Sequence, residues 1–279
     1  MEKQTDRYGP ETEPQAPAPG IFGRVNNYLL LFYSLACFLM YYSVSGLLIL
    51  QGWLILSLSL PGIVAFIMPL FVLSRRFSLK FTEEYTLNVP DKATAALALL
   101  ISFSAILPVD TLSGLLERKW PPDVDYISFL LSIKPKGLLA FIAVAVGTVV
   151  IAPLSEELIF RGFIQRIFQR NMRGVLAVVL AGLIFGVCHF VPSVIPGVAF
   201  LGILLGYLFL RTGNLIYPVI AHGGYNLVSL LRLHLTPEDA IKAGEVPAPP
   251  IMWTLASILA LIAGIILIER RHSKHGTEA

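Results

Sequence analysis

Charge is scarce in this chain. Only 14% of its 279 residues are Asp, Glu, Lys or Arg, while 56% are hydrophobic. A soluble domain carries about a quarter charged residues, so an ordinary water-soluble globule is excluded, and the mean hydropathy of +0.74 agrees. Cysteine is nearly absent: Cys37 and Cys188 are the two, both in apolar runs. That excludes a disulfide framework and a cysteine-rich metal site. The net charge of +3 is too small to suggest nucleic acid as a partner. Neither His-Glu-x-x-His nor Gly-x-Ser-x-Gly occurs, and Ser155 has no base nearby by spacing, so no zincin helix or serine nucleophile is signalled. No internal repeat is visible, which weighs against transporters built on inverted repeats. Residues 1–25 mix acids and bases with Pro10, Pro14, Pro17 and Pro19. They lack a signal-peptide core and read as a disordered N-terminal tail. The C-terminal His-Gly-Thr-Glu-Ala holds no prenylation cysteine.

Apolar length is what the chain has. Runs near the roughly 20 residues needed to cross hydrocarbon lie at 28–50, 53–73, 93–108, 138–168, 174–192, 197–211, 214–235 and 251–268. The fold expected is all-α, a polytopic transmembrane helical bundle of about eight spans. Its parts are an N-terminal set of helices and an interfacial loop over 26–137, a core over 138–235, and a last helix with a tail over 236–279. The segment 109–137, with Trp120-Pro121-Pro122, reads as a loop carrying interfacial helices. Counting Lys and Arg in alternate loops gives fourteen on the N-terminal side and six opposite. Both termini are therefore expected in the cytoplasm of an integral membrane protein surrounded by lipid; in a bacterium this is the plasma or inner membrane.

Acid lies inside one of these runs. Leu138–Leu154 is uncharged, and Ser-Glu-Glu-Leu-Ile-Phe-Arg follows it. An ionisable group at bilayer depth costs about 3 kcal/mol or more and faces a cavity, a partner or an ion path. Glu157 and Arg161 stack at i, i+4 and can neutralise each other. Glu156 is rotated about 100° away, which leaves it as the free acid. Two further runs hold unexplained polar residues: His189, four after Phe185, and the pair His222 and Asn226. A hairpin turning near Met172 returns His189 to the level of Glu156 at about 1.5 Å per residue. His222 joins that level only if the hairpin extends a turn or two past the inner surface. Gly182/Gly186 and Gly202/Gly206 are small-residue pairs that allow close helix approach.

Two chemistries suit a carboxylate and two histidines. Glu156, His189 and His222 can hold a zinc ion with an open position for water. Alternatively, Glu156 is the general base on a water shared with His189, while His222 and Asn226 donate to an oxyanion. The second gives Asn226 a task. A different class is also open: intramembrane Glu and His build proton relays, so an ion-coupled transporter, or a catalytically silent scaffold, is the alternative.

These residues resemble a known family, the CAAX-processing and bacteriocin-processing intramembrane endopeptidases. Its pattern is Glu-Glu-x-x-x-Arg, Phe-x-x-x-His and His-x-x-x-Asn on successive membrane helices. Here it reads Glu156-Glu157-Leu-Ile-Phe-Arg161, Phe185-Gly-Val-Cys-His189 and His222-Gly-Gly-Tyr-Asn226, within 138–235. The resemblance implies an intramembrane endopeptidase acting on a peptide or membrane-associated protein, lipidated or not. It implies water activation by Glu156 and His189, an oxyanion site of His222 and Asn226, and Glu157 with Arg161 as support. No cofactor is required on that reading.

Overall fold

The computed structural model describes residues 20–117, 119–243 and 249–272. These residues are helical throughout, joined by turns and short loops, with no strand among them. We number the helices α1 (Ile21–Arg24), α2 (Asn27–Leu50), α3 (Leu54–Arg76), α4 (Phe81–Glu84), α5 (Lys92–Glu117) and α6 (Val124–Ile133). There follow α7 (Leu138–Gln169), α8 (Gly174–Val187), α9 (Ile195–Thr212), α10 (Ile216–Leu235), α11 (Glu238–Ala243) and α12 (Ile251–His272).

Six of them, α2, α3, α5, α7, α9 and α12, are long and apolar enough to cross a membrane by length and composition. The protein is an integral membrane protein on that ground. The other two expected spans differ for separate reasons. α8 has 14 residues, short of the roughly 20 that span hydrocarbon. α10 has 20 residues but spends several on His222, Asn226, Arg232 and His234, which lowers its hydropathy.

Three boundaries depart from expectation. The third span does not stop at Pro108 but runs 26 residues to Glu117, so the first part of the expected loop 109–137 is helix. Proline supplies no N–H and frees the carbonyl four residues back. Here Ser257 Oγ on α12 donates to that Ser104 carbonyl at 2.7 Å, so the helix continues. α8 ends at Val187, before His189, because Phe190 adopts a positive φ of 55°. The expected tail falls on 1–19, outside the described residues, and on 20–25, where α1 is helical with Ile21 and Phe22 buried. Ile21 N–H donates to Glu84 Oε1 at 3.2 Å, which fixes that segment.

Two apolar clusters flank the central hairpin. One joins Phe22, Leu30, Phe66 and Tyr85 to Phe160, Phe163 and Phe185, so it crosses the expected division at residue 137. The other joins Ile101 and Ala105 of α5 to Leu205 of α9, Ala221 of α10 and Leu261 of α12. α8 packs most extensively on α9. A Cβ at Gly182 would lie 2.7 Å from the Ile203 nitrogen, and one at Gly186 2.7 Å from the Ile195 carbonyl oxygen. Gly202 faces Gly182 in turn, whereas Gly206 faces Gln165 of α7.

Candidate functional site

The site begins with α7. It is not a uniform helix: wider π turns occupy Val146–Ile151 and Phe160–Gln165, on either side of the segment Ala152–Ile159 that carries the two glutamates. Such turns recur at functional sites because they re-aim side chains. Glu156 and Glu157 leave that segment in different directions, as adjacent helical residues must.

Glu157 points inward and is sealed. Its Oε1 lies 2.9 Å from Arg161 Nη1, and both side chains are fully buried. The same oxygen lies 2.9 Å from His222 Nδ1, so the carboxylate bridges α7 and α10. Arg161 Nη2 donates to the Gly202 carbonyl at 2.7 Å, and its guanidinium lies 4.5 Å above the Phe185 ring. One turn on, Gln165 Nε2 donates to the Gly206 carbonyl at 3.0 Å. The expected ion pair is therefore present, and it does more than neutralise charge. It ties α7 to α9 through the Gly202 carbonyl and to α10 through a histidine, and Gln165 adds a second tie to α9 at the Gly206 carbonyl. Gln165 was missed by sequence reasoning; its position four residues after Arg161 is the signal that marks it.

Glu156 points the other way, with its side chain 17% exposed. It lines a cavity of about 280 Å³ together with His189. The expected meeting of these two residues across the α7–α8 hairpin is thus present. His189 sits in the turn after α8 rather than in a helix, and its Nδ1 is 2.8 Å from the Phe185 carbonyl. A carbonyl only accepts, so Nδ1 carries the proton and Nε2 is left as the acceptor. Phe185 packs edge-on against both histidines, with ring separations of 5.0 Å to His189 and 5.7 Å to His222. The opposite wall comes from α2 and α3: Phe38, Tyr41, Tyr42 and Phe66, with Phe129 of α6 above. Nothing in the sequence patterns marked those aromatic residues, which sit in runs that look merely lipid-facing.

The remaining pair stands further back. His222 is buried, and its Nε2 lies 3.9 Å from Glu156 Oε2, beyond hydrogen-bond distance. Neither His222 nor Asn226 lines the cavity. Asn226 Nδ2 donates to the Thr148 carbonyl at 2.8 Å. Thr148 lies in the π turn just before Pro153. In that register the missing proline N–H leaves the carbonyl five residues back without its helical donor, and Asn226 supplies one. One amide N–H of Asn226 is left over. As for zinc, no group of three or more His, Cys, Asp or Glu among the described residues is placed to hold a metal ion.

Residues 138–228, about a third of the chain, match the sequence model of a family described as Type II CAAX prenyl endopeptidase Rce1-like. That stretch contains Glu156, Glu157, Arg161, His189, His222 and Asn226. No curated protein and no solved structure matches the chain.

Proposed function

We propose that this chain, whose residues 138–228 match the model of the Rce1-like type II CAAX prenyl endopeptidases, is an intramembrane endopeptidase of that family in which Glu156 is the general base. The observation that carries the reading is the meeting of Glu156, on α7, and His189, in the turn after α8, in one cavity, next to a carboxylate that is wholly sealed. Glu156 takes a proton from water, with His189 Nε2 accepting the other O–H and holding that water. The oxygen attacks the peptide carbonyl carbon, and the negative charge moves to the carbonyl oxygen. His222 and Asn226 stand behind the cavity as it is, so substrate entry must open it toward them. His222 Nε2–H, when that ring carries both protons, and the spare N–H of Asn226 are then the donors to that oxygen. Glu156 then gives its proton to the leaving nitrogen as the C–N bond breaks. Glu157 and Arg161 hold His222 and the helices in register. The substrate class is a membrane-associated protein with a prenylated C-terminus, or a peptide presented at the membrane. Both termini face the cytoplasm on the distribution of Lys and Arg.

Transport is the competing reading. The layer below Glu156, formed by Glu157, Arg161 and Gln165, is completely buried, which supports a one-sided cavity over a through path.

The test is peptidase activity on a mixed library of lipidated and unlipidated peptides, with wild type and Glu156→Gln, each with and without a chelator. Cleavage by wild type that survives chelation and falls at least about 100-fold in Glu156→Gln supports the proposal. Full activity in the variant overturns it. Activity lost to chelation and restored by zinc replaces the water-activation scheme with a metal site. No cleavage of any peptide leaves the scaffold or transporter.

A further inference from the structure

His189 hangs from the end of a helix, and something must hold that end. The last carbonyls of a helix have no intrahelical donor. α8 closes with 3₁₀-type bonds, from His189 N–H to the Gly186 carbonyl at 3.1 Å and from Phe190 N–H to the Val187 carbonyl at 3.1 Å. Phe190 then turns the chain in the left-handed region, φ 55°, where helices normally place glycine. A phenylalanine stays there only if its surroundings hold it.

Those surroundings come from α2. Tyr42 Oη donates to the Cys188 carbonyl at 2.6 Å, taking up the carbonyl immediately before His189. The Tyr42 ring packs edge-on against Phe190, with centroids 5.1 Å apart. One side chain thus grips the residues on both sides of His189. All four, Tyr42, Cys188, His189 and Phe190, line the cavity that Glu156 faces.

We infer that Tyr42 is a positioning residue for His189, fixing the strained Cys188–Phe190 turn so that the imidazole faces Glu156. The inference rests on the proposed hydrolytic reading but is tested partly without it. It also gives a task to the first membrane helix, which carries none of the motif residues. Tyr33, on the same helix, serves as the control: its hydroxyl also donates to a backbone carbonyl, that of Pro69 at 2.7 Å, but it does not line the cavity.

The experiment uses full-length protein in detergent with histidine labelled at ¹³Cε1. The His189 resonance is assigned by its loss in His189→Gln. Tyr42→Phe removes the hydroxyl and keeps the ring, and Tyr42→Leu removes both contacts. Expected for Tyr42→Phe is a shifted and broadened His189 signal, with kcat down about tenfold, the upper end for one hydrogen bond, and KM within twofold. Tyr42→Leu should broaden the signal further, and Tyr33→Phe should leave signal and kcat unchanged. A His189 signal and kcat unaltered in Tyr42→Phe overturn the inference. So does an equal loss in Tyr33→Phe, which would mark a general effect of removing a hydroxyl from α2. If wild type cleaves no peptide, the proposed function fails, yet the resonance still decides whether Tyr42 holds His189.

Discussion

Glu156 and Glu157 are neighbours in the chain with opposite surroundings. Glu157 sits in a closed polar knot with Arg161 and His222, without exposure. Glu156 stands at the edge of a cavity with an aromatic wall. One residue of helical rotation separates an anchor from an acid that faces a cavity. The difference teaches how a membrane protein keeps an ionisable group accessible at depth. The buried charges are paired across helices, and the packing they enforce leaves room for one acid, Glu156, that faces a cavity and has His222 Nε2 at 3.9 Å. The knot draws α7, α9 and α10 together, and the cavity is bounded by what remains of α7 and by helices outside the motif.

The sharpest way to break this comparison is to remove the sealed member. Glu157→Ala leaves the Arg161 guanidinium buried without its carboxylate and His222 without its partner. Breaking a buried pair from one side costs about 3–5 kcal/mol, so thermal unfolding in detergent should shift far down and expression should fall. Glu156→Gln keeps the shape of a partly exposed side chain and should unfold within a degree or two of wild type, about what a surface substitution does. Equal losses in the two variants would show that the carboxylates share one environment and would dissolve the distinction.

A smaller effect separates support from chemistry at Asn226. Its amide fills the carbonyl gap that Pro153 opens in α7. Asn226→Ala should cost about 1–3 kcal/mol, the penalty of an unsatisfied buried group. Pro153→Ala restores a backbone N–H, so the double variant should be more stable than the sum of the singles allows. If stability returns while peptidase activity does not, Asn226 also acts on the substrate. If both return together, its role is confined to the backbone.

Much of the knot was legible in advance, because helical geometry is local. The four-residue spacing announced Glu157 with Arg161, and a 100° turn separated Glu156 from both. The meeting of Glu156 with His189 followed from counting residues to a hairpin. What escaped was set by distant partners. Pro108 looked like a helix end because the hydroxyl that rescues it, Ser257, lies 153 residues from the Ser104 carbonyl it serves. His189 looked helical because the left-handed turn after it uses phenylalanine, which gives no compositional warning. The aromatic wall was invisible since Phe38, Tyr41 and Tyr42 share a run with rings that face outward, such as Phe32, 70% exposed. The eight-span count relied on apolar runs, and α8 and α10 trade span length and hydropathy for packing and polar residues.

The smallest effect is expected at an ion pair of the opposite kind, exposed instead of sealed. Asp91 accepts from the backbone N–H groups of Ala93 at 3.1 Å and Thr94 at 2.9 Å, and it meets Arg271 Nη2 at 2.9 Å. It joins the start of α5 to the end of α12. Hydrogen bonds from Thr94, first its hydroxyl and then its N–H, pull the Asp91 pKa from an ordinary 3.8 to about 2, with Ala93 and Arg271 adding to the shift. A depressed acid stabilises the fold above its unfolded value, and that contribution disappears as pH falls from 3.8 through about 2. Asp91→Asn keeps a capping side chain and removes the charge. It should lower the unfolding temperature slightly at neutral pH, less than either preceding variant, and the gap should close near pH 2. High salt should narrow the gap as well, since exposed charges are screened, while the deficit of Glu157→Ala should hold. A salt-sensitive Glu157→Ala deficit would mean that water reaches the knot, and the contrast between sealed and open carboxylates would then fail at its first member.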